Sequence, residues 1–368
     1  MQSSSSAPES SEVRAIAFRN RLIADPRFRR WLGWLPFTRR FLRGRVAAMF
    51  DINAGFVYSQ IALAMVETRM FDALAAGPLS IADAARHADL PEAGAERLLK
   101  AAAALQLAQA LKDGRYMLGE RGAALHADPG IAAMIVHHKH LYADLADPVA
   151  LLRRGGGGGA LQHYWSYARA DDPAASGADS VAPYSALMAA SQAMVAEQVV
   201  TAHRFGKHRR MLDVGGGDGV FARAVKTRWP MLDVAVFDLP AVAARATGVE
   251  SHGGNFFESP CPTGFDLVTL IRVLHDHDDT PTLKLLHNIA AALKPGDSLL
   301  IAEPMAQTHA AEPMGDGYFG LYLWAMGAGR PRARAEITAM LHAAGFADVQ
   351  EIRTSVPLIA RVLIASRR

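Results

Sequence analysis

Residues 211–220 read MLDVGGGDGV, and a second apolar run, VFDLP, brings in Asp238 twenty-five residues after Asp213. A short apolar strand enters a glycine turn, and Phe221, Ala222, Ala224 and Val225 continue as a helix pattern. This is the start of a βαβ unit. An acid at the end of its second strand is placed to take two ribose hydroxyls. Gly215, Gly217 and Gly219 form G-x-G-x-G, not the G-x-G-x-x-G spacing that seats a pyrophosphate. Asp213 and Asp218 bracket the turn, and carboxylates there repel a pyrophosphate. They suit a nucleoside with a cationic amino-acid tail and no phosphate. S-adenosylmethionine, with its sulfonium and ammonium, meets that description. The plainer alternative is a tight strand-to-helix turn of any α/β protein, in which the two acids and Asp238 coincide by chance.

The chain has 368 residues, 51% hydrophobic and 20% charged, enough for two globular domains. Its single cysteine, Cys261, excludes an internal disulfide framework and suits a reducing compartment. The opening MQSSSSAPESSE lacks the apolar core of a secretory signal, and no apolar run reads as membrane-spanning. A soluble cytoplasmic protein is expected. The net charge of +3 conceals an asymmetry: ten arginines and one acid, Asp25, lie between Arg14 and Arg45, so the remainder is acidic. Phe18, Trp31, Trp34, Phe37 and Phe41 interleave with those arginines. The pattern predicts a helix lying on an anionic membrane surface. A basic face packed on the protein, or a dimer arm, is the alternative.

The chain divides into a polar tail and basic amphipathic segment (1–45), a helical substrate-lining domain (46–195) and a Rossmann-like α/β domain (196–368). Ser80 and Asp83 resemble a capping box, 92–105 is a helix, and Asp113-Gly114 is a hairpin turn between QALK and RYML. Helix, turn, helix, hairpin is a winged helix. Its second helix carries only Arg97 and Lys100 against Glu92 and Glu96, too few cations to neutralise phosphates. We therefore expect a dimerisation module and no nucleic acid. The glycines at 155–159 read as a flexible loop, since no strand precedes them and no Lys-Ser/Thr follows. His137, His138 and His140 lack metal-ligand spacing, so no metal is expected and the cluster faces solvent or substrate. Strands are expected at 211–214, 234–238, 265–271, 298–303 and 362–365, alternating with helices. This is a mostly parallel, doubly wound sheet with its site beyond the strands' carboxyl ends.

Three motifs fall at such ends. In GNFFES, Asn255 can hydrogen-bond an adenine amino group and Phe256 can lie on the ring. RVLHDHDD brings His275 and Asp276, and LLIAEP brings Glu303. A carboxylate beside His275 would orient the imidazole and stabilise the imidazolium formed on taking a proton. That suits methyl transfer to a hydroxyl, in which positioning supplies most of the catalysis. The alternative for His275 is a cap or packing histidine. Tyr318, Phe319, Tyr322, Trp324 and Met326, with Met188 and Met194, can line an apolar tunnel or form helix core.

LDVGGGDG, FDLP, GNFF, VLHD and AEP in this order, after a winged-helix pattern, resemble the plant-type small-molecule O-methyltransferases and their bacterial relatives, over about residues 50–368. The resemblance implies His275 as general base and an intertwined homodimer. It implies a S-adenosylmethionine site at Asp213, Gly215, Gly217, Asp238, Leu239, Asn255 and Phe256, with Arg272 beside it. RNRLIADPRFRRW, AGFVYSQIALAMVE, PYSALMAASQAMVAEQ and GDGYFGLYLWAMGAGRPR are similar to the carotenoid branch of purple photosynthetic bacteria. That branch implies an apolar substrate, the tertiary hydroxyl of an acyclic carotenoid of the demethylspheroidene or hydroxyneurosporene type. It also gives the basic aromatic N-terminus a purpose. Departures from the plant pattern are His277 for the tryptophan after HD, and Pro331 where a second glutamate flanks the base. Asp276 or Glu303 would then support His275, with His277 a further helper. Competing acceptors are phenolic, phenazine or polyketide hydroxyls, or a ring carbon of a bacteriochlorophyll precursor. A S-adenosylmethionine-sensing regulator is the non-enzymatic alternative, and it has no use for His275.

Overall fold

The computed structural model describes residues 10–34, 36–165, 187 and 192–368; Met188 lies outside them. The basic segment forms α1 (Ser11–Ala24), α2 (Pro26–Trp34) and the start of α3 (Pro36–Glu67). Pro26 and Pro36 open their helices at the first position, where a missing N–H is tolerated. Next come α4 (Met70–Ala76), α5 (Ile81–Ala88) and α6 (Glu92–Ala104). The Ser80 hydroxyl accepts from Asp83 N at 3.1 Å and so caps α5. β1 (Ala108–Ala110) and β2 (Tyr116–Leu118) pair antiparallel as the expected hairpin. Then follow α7 (Glu120–His126), α8 (Pro129–Asp144), α9 (Pro148–Arg153), α10 (Ala160–Tyr164) and α11 (192–202).

The expectation that no apolar run reaches spanning length is corrected by α3. By length and composition its residues Phe37–Glu67 are apolar enough to cross a membrane. Asp51, Asn53, Ser59 and Gln60 interrupt the run, yet its most apolar window keeps a mean hydropathy of 1.3. Its last turns bury Met65 with Met70, Phe71, Leu74 and Leu99 in an N-terminal core. Met49, Phe50, Ile52 and Phe56 on the same helix lie exposed.

The second half is β3 (Arg210–Val214), α12 (Val220–Arg228), β4 (Asp233–Asp238), α13 (Pro240–Ala243), β5 (Glu250–Gly253), β6 (Leu267–Ile271), α14 (Asp279–Ala292), β7 (Ser298–Glu303), α15 (Gly320–Met326), α16 (Arg334–Ala343), β8 (Phe346–Ile352) and β9 (Arg361–Arg367). They form one seven-stranded sheet in the order β5-β4-β3-β6-β7-β9-β8, parallel except for β9. Along β6, Val268 and Leu270 pack on one face and Leu267 and Ile271 on the other, so the strand is buried throughout. Strand order reverses between β3 and β6. That switch point opens the crevice where an α/β sheet binds its ligand.

Candidate active site

The glycine turn leaves β3 with Gly215, Gly217 and Gly219 at φ of 70°, 58° and 79°, a region that glycine alone enters freely. A Cβ on Gly215 would sit 2.8 Å from Val273, whereas Gly217 faces open space. Asp238, at the end of β4, accepts from Gly217 N at 2.8 Å and from Leu239 N at 2.7 Å. Burial pushes its carboxyl up to about 6, although both amides and Arg245 oppose the shift.

Asp213 is buried. Its Oδ1 accepts from the Thr269 hydroxyl at 2.7 Å, and its Oδ2 has no partner among the described residues. Burial pushes it up to about 7. A buried carboxylate oxygen left unpaired beside the turn fits a ligand with a cationic tail. Only one of the two bracketing acids is free for that role, because Asp218 ion-pairs with Arg245 at 3.0 Å. Thr269, which holds Asp213, escaped the sequence reading; a lone hydroxyl inside the apolar run LVTLI was its only sign. Asn255 folds the turn after β5, its Oδ1 accepting from Phe257 N at 3.0 Å. The Phe256 ring lies 3.8 Å from where a Gly215 Cβ would stand.

β6 ends in Arg272, which adopts a left-handed φ of 59° while its N–H donates to Ala302 O at 2.8 Å. The chain then makes a tight turn, Leu274–Asp276. Glu303, at the end of β7, fastens that turn: Oε1 accepts from Val273 N at 3.0 Å and Leu274 N at 2.7 Å, and Oε2 takes His275 Nδ1. The other ring nitrogen, Nε2, lies 3.2 Å from Asp276 Oδ1. Burial pulls the imidazole pKa down, but Asp276 and Glu303 outweigh it and the net shift is upward. Two carboxylates therefore flank the histidine, one per nitrogen, although Pro331 stands where the resemblance implies a second glutamate.

His277 packs edge-on against Phe257 and Phe256, at ring separations of 4.9 and 5.8 Å. Arg332, another residue the sequence reading missed, is buried against the same turn.

On the other side of His275, the Phe319 ring stands edge-on at 5.9 Å. Phe319 ends a π-helical segment, Pro313–Phe319, that runs into α15. Tyr318 and Tyr322 bond His138 Nε2 and His137 Nε2 at 2.7 Å each, and Trp165 Nε1 donates to the Tyr322 hydroxyl at 3.1 Å. The histidine cluster thus turns inward against an aromatic wall rather than to solvent. Burial holds His137 down at about 3 and raises both phenols, so the wall carries no charge at neutral pH. Met194 lies half-buried on α11. Among the described residues, no group of three or more His, Cys, Asp or Glu could hold a metal ion.

The glycine run at 155–159 is better fastened than a free linker. Gly155 to Gly158 all have positive φ, and Gly157 N donates to Trp324 O at 2.9 Å.

Two family models match the chain: an O-methyltransferase dimerisation domain over residues 50–128 and an O-methyltransferase domain over residues 142–347. Human N-acetylserotonin methyltransferase, solved in complex with S-adenosylmethionine, shares the fold with a TM-score of 0.73 at 24% identity, over 88% of this chain and 97% of that one. The chain belongs to the S-adenosylmethionine-dependent O-methyltransferases. It is 38% identical to a demethylspheroidene O-methyltransferase of Cereibacter sphaeroides, over 94% of this chain and 94% of the relative. It is 39% identical to the Rhodobacter capsulatus protein of the same name, over 96% and 90%.

Proposed function

We propose that the enzyme methylates a tertiary hydroxyl at the end of an acyclic carotenoid of the demethylspheroidene or hydroxyneurosporene type. The observation that carries this reading is identity to the two carotenoid enzymes over almost the whole chain. The uncharged aromatic wall of Tyr318, Tyr322 and Phe319 accords with an apolar acceptor, and Met194 is assigned to the acceptor side on its apolar character alone. Residues 196–368 supply the chemistry. Residues 46–195 supply the dimer contacts and part of the acceptor wall.

When bound, S-adenosylmethionine supplies an electrophilic methyl group. The glycine turn, Asp238 and Leu239 hold the nucleoside, Asn255 and Phe256 the adenine, and Asp213 the ammonium. Arg272 lines the same side. His275 acts as base: its Nδ1–H donates to Glu303, which leaves the Nε2 lone pair for the acceptor hydroxyl. A tertiary alcohol is far less acidic than a phenol, so no free alkoxide forms. The acceptor oxygen would give its proton to Nε2 as it takes the methyl, the S–CH₃ bond breaking to leave the neutral thioether S-adenosylhomocysteine. Asp276, 3.2 Å from Nε2, and Glu303 then stabilise the imidazolium.

Because His275 must be neutral to act and its pKa is raised, its proton persists to higher pH than on a free imidazole. The acid limb of kcat/KM is expected above about pH 6.5, with activity rising through it. A limb below that value in a pH–rate profile would contradict the arrangement. Asp238→Ala removes charge-assisted acceptors worth about 1.5–3 kcal/mol each, so cofactor affinity should fall about 10- to 150-fold for each ribose bond lost. Calorimetric titration giving the wild-type Kd would remove Asp238 from the ribose site.

The N-terminal segment 14–45 completes the proposal as a peripheral contact with an anionic membrane, from a cytoplasmic enzyme. Trp34, 84% exposed, lies beside Arg27 and Arg30, and Phe37 is 93% exposed. Anionic vesicles should sediment the protein at low salt and release it at high salt; equal binding to neutral vesicles would refute the electrostatic part. The exposed apolar face of α3 fits a homodimer contact. The function is tested by methyl transfer from labelled S-adenosylmethionine, in detergent, to 1-hydroxy carotenoids beside a panel of phenols. Label confined to a phenol would keep the enzyme and discard the carotenoid.

A further inference from the structure

We propose that Arg332 is a positioning residue, whose guanidinium sets the turn that presents His275 to Glu303; this rests on His275 being the base. Arg332 is 3% exposed. Its Nη1 donates to Leu274 O at 2.6 Å and its Nη2 to His277 O at 2.7 Å. Nε and Nη2 also reach Asp279 Oδ1, at 3.0 and 2.8 Å. One planar fork therefore spans the carbonyl just before His275 and the one just after Asp276. On the opposite side, Glu303 takes the N–H groups of Val273 and Leu274. The turn is pinned through its donors by a carboxylate and through its acceptors by a guanidinium.

The segment bearing Arg332 is itself held close. Gly329 N donates to Asp278 Oδ1 at 2.9 Å, and a Cβ on Gly329 would come 2.1 Å from His275 O. Ala306 N donates to Arg332 O at 3.0 Å, which ties the segment to the loop after β7. A buried guanidinium is expensive unless its donors are used, and an apolar side chain would serve stability as well. The geometry it supplies, two carbonyls and a carboxylate in one plane, is beyond a lysine ammonium. Charged and titratable groups facing His275 are Asp276 and Arg272 on its own stretch and Glu303 on β7, with His277 and Arg332 close behind.

Arg332→Lys separates the fork from the charge. We expect S-adenosylmethionine Kd and acceptor KM near wild type, and kcat reduced about 10²-fold, as a misplacement near 1 Å produces. With Nδ1 released from Glu303, the imidazole gives up its proton more easily. The acid limb should then move to lower pH, and the His275 resonance, followed by NMR in ¹³C-histidine-labelled protein, should titrate lower. That NMR readout needs no acceptor, so it stands even if carotenoids prove not to be the substrate. Wild-type kcat, or an unmoved His275 titration in a folded Arg332→Lys protein, would overturn the proposal. If that variant does not fold, Asp279→Asn loosens the fork from a half-exposed site and should shift kcat and titration in the same directions by a smaller amount. No shift in either would equally overturn it.

Discussion

Replacing His275 with alanine should lower kcat by about 10²- to 10⁴-fold, the usual contribution of a positioned general base. S-adenosylmethionine affinity should stay near wild type. The separation follows from topology. The proposed nucleoside side lies on the turn after β3 and the end of β4, whereas His275 stands on the turn after β6. Removing the ring leaves Glu303 still engaged by Val273 N and Leu274 N, so the turn retains its anchor. Glu303 Oε2 loses its partner, and a modest loss of thermal stability should accompany the kinetic defect. Labelled methyl transfer and calorimetry on one preparation decide the matter. Near-normal turnover would sink the base assignment, and lost cofactor binding would show that His275 acts on the wrong side of the site.

Glu303→Gln should be almost as damaging to kcat, about 10²- to 10⁴-fold, while the protein folds normally. Glutamine keeps a carbonyl oxygen for the two backbone N–H groups. It then points an amide N–H₂ at His275 Nδ1, which forces that nitrogen to accept. The ring proton moves to Nε2, and the lone pair that should meet the acceptor hydroxyl is gone. The variant also loses a carboxylate that raises the imidazole pKa, so the residual acid limb should move to lower pH. A Glu303→Gln enzyme with wild-type kcat and an unmoved limb would mean that Glu303 only supports the turn.

Much of this was readable in advance because it is local. The glycine turn, Asp238 and the ends of β4 and β7 lie within short stretches where apolar runs stop at an acid, and β7 occupies the expected residues. Of the two sheet edges, β8 gave no signal and β5 was implied only by the GNFFES motif that follows it. β5 reads ESHG and is largely exposed, so no apolar pattern marks it. The cofactor side suffered one misreading: Asp218 looked equivalent to Asp213, but Arg245, 27 residues on, claims it. Contacts across long separations left no trace at all. His137 and Tyr322 are 185 residues apart, and Arg332 is 58 from Leu274. Neither spacing nor periodicity encodes such pairs; only the packed sheet brings them together.

The two histidine–tyrosine bonds have a consequence for how acceptor preference can be inherited. His137 and His138 stand on α8, ahead of the segment matched as the O-methyltransferase domain, while Tyr318 and Tyr322 stand within it. The proposed acceptor wall is thus written jointly by two stretches of chain. A chimera that exchanges only the downstream half with a relative would carry over cofactor handling and the base, yet leave each tyrosine facing a mismatched neighbour. If that wall meets the acceptor, substrate range is a shared trait of both stretches, and compatible changes in both would be needed to move it.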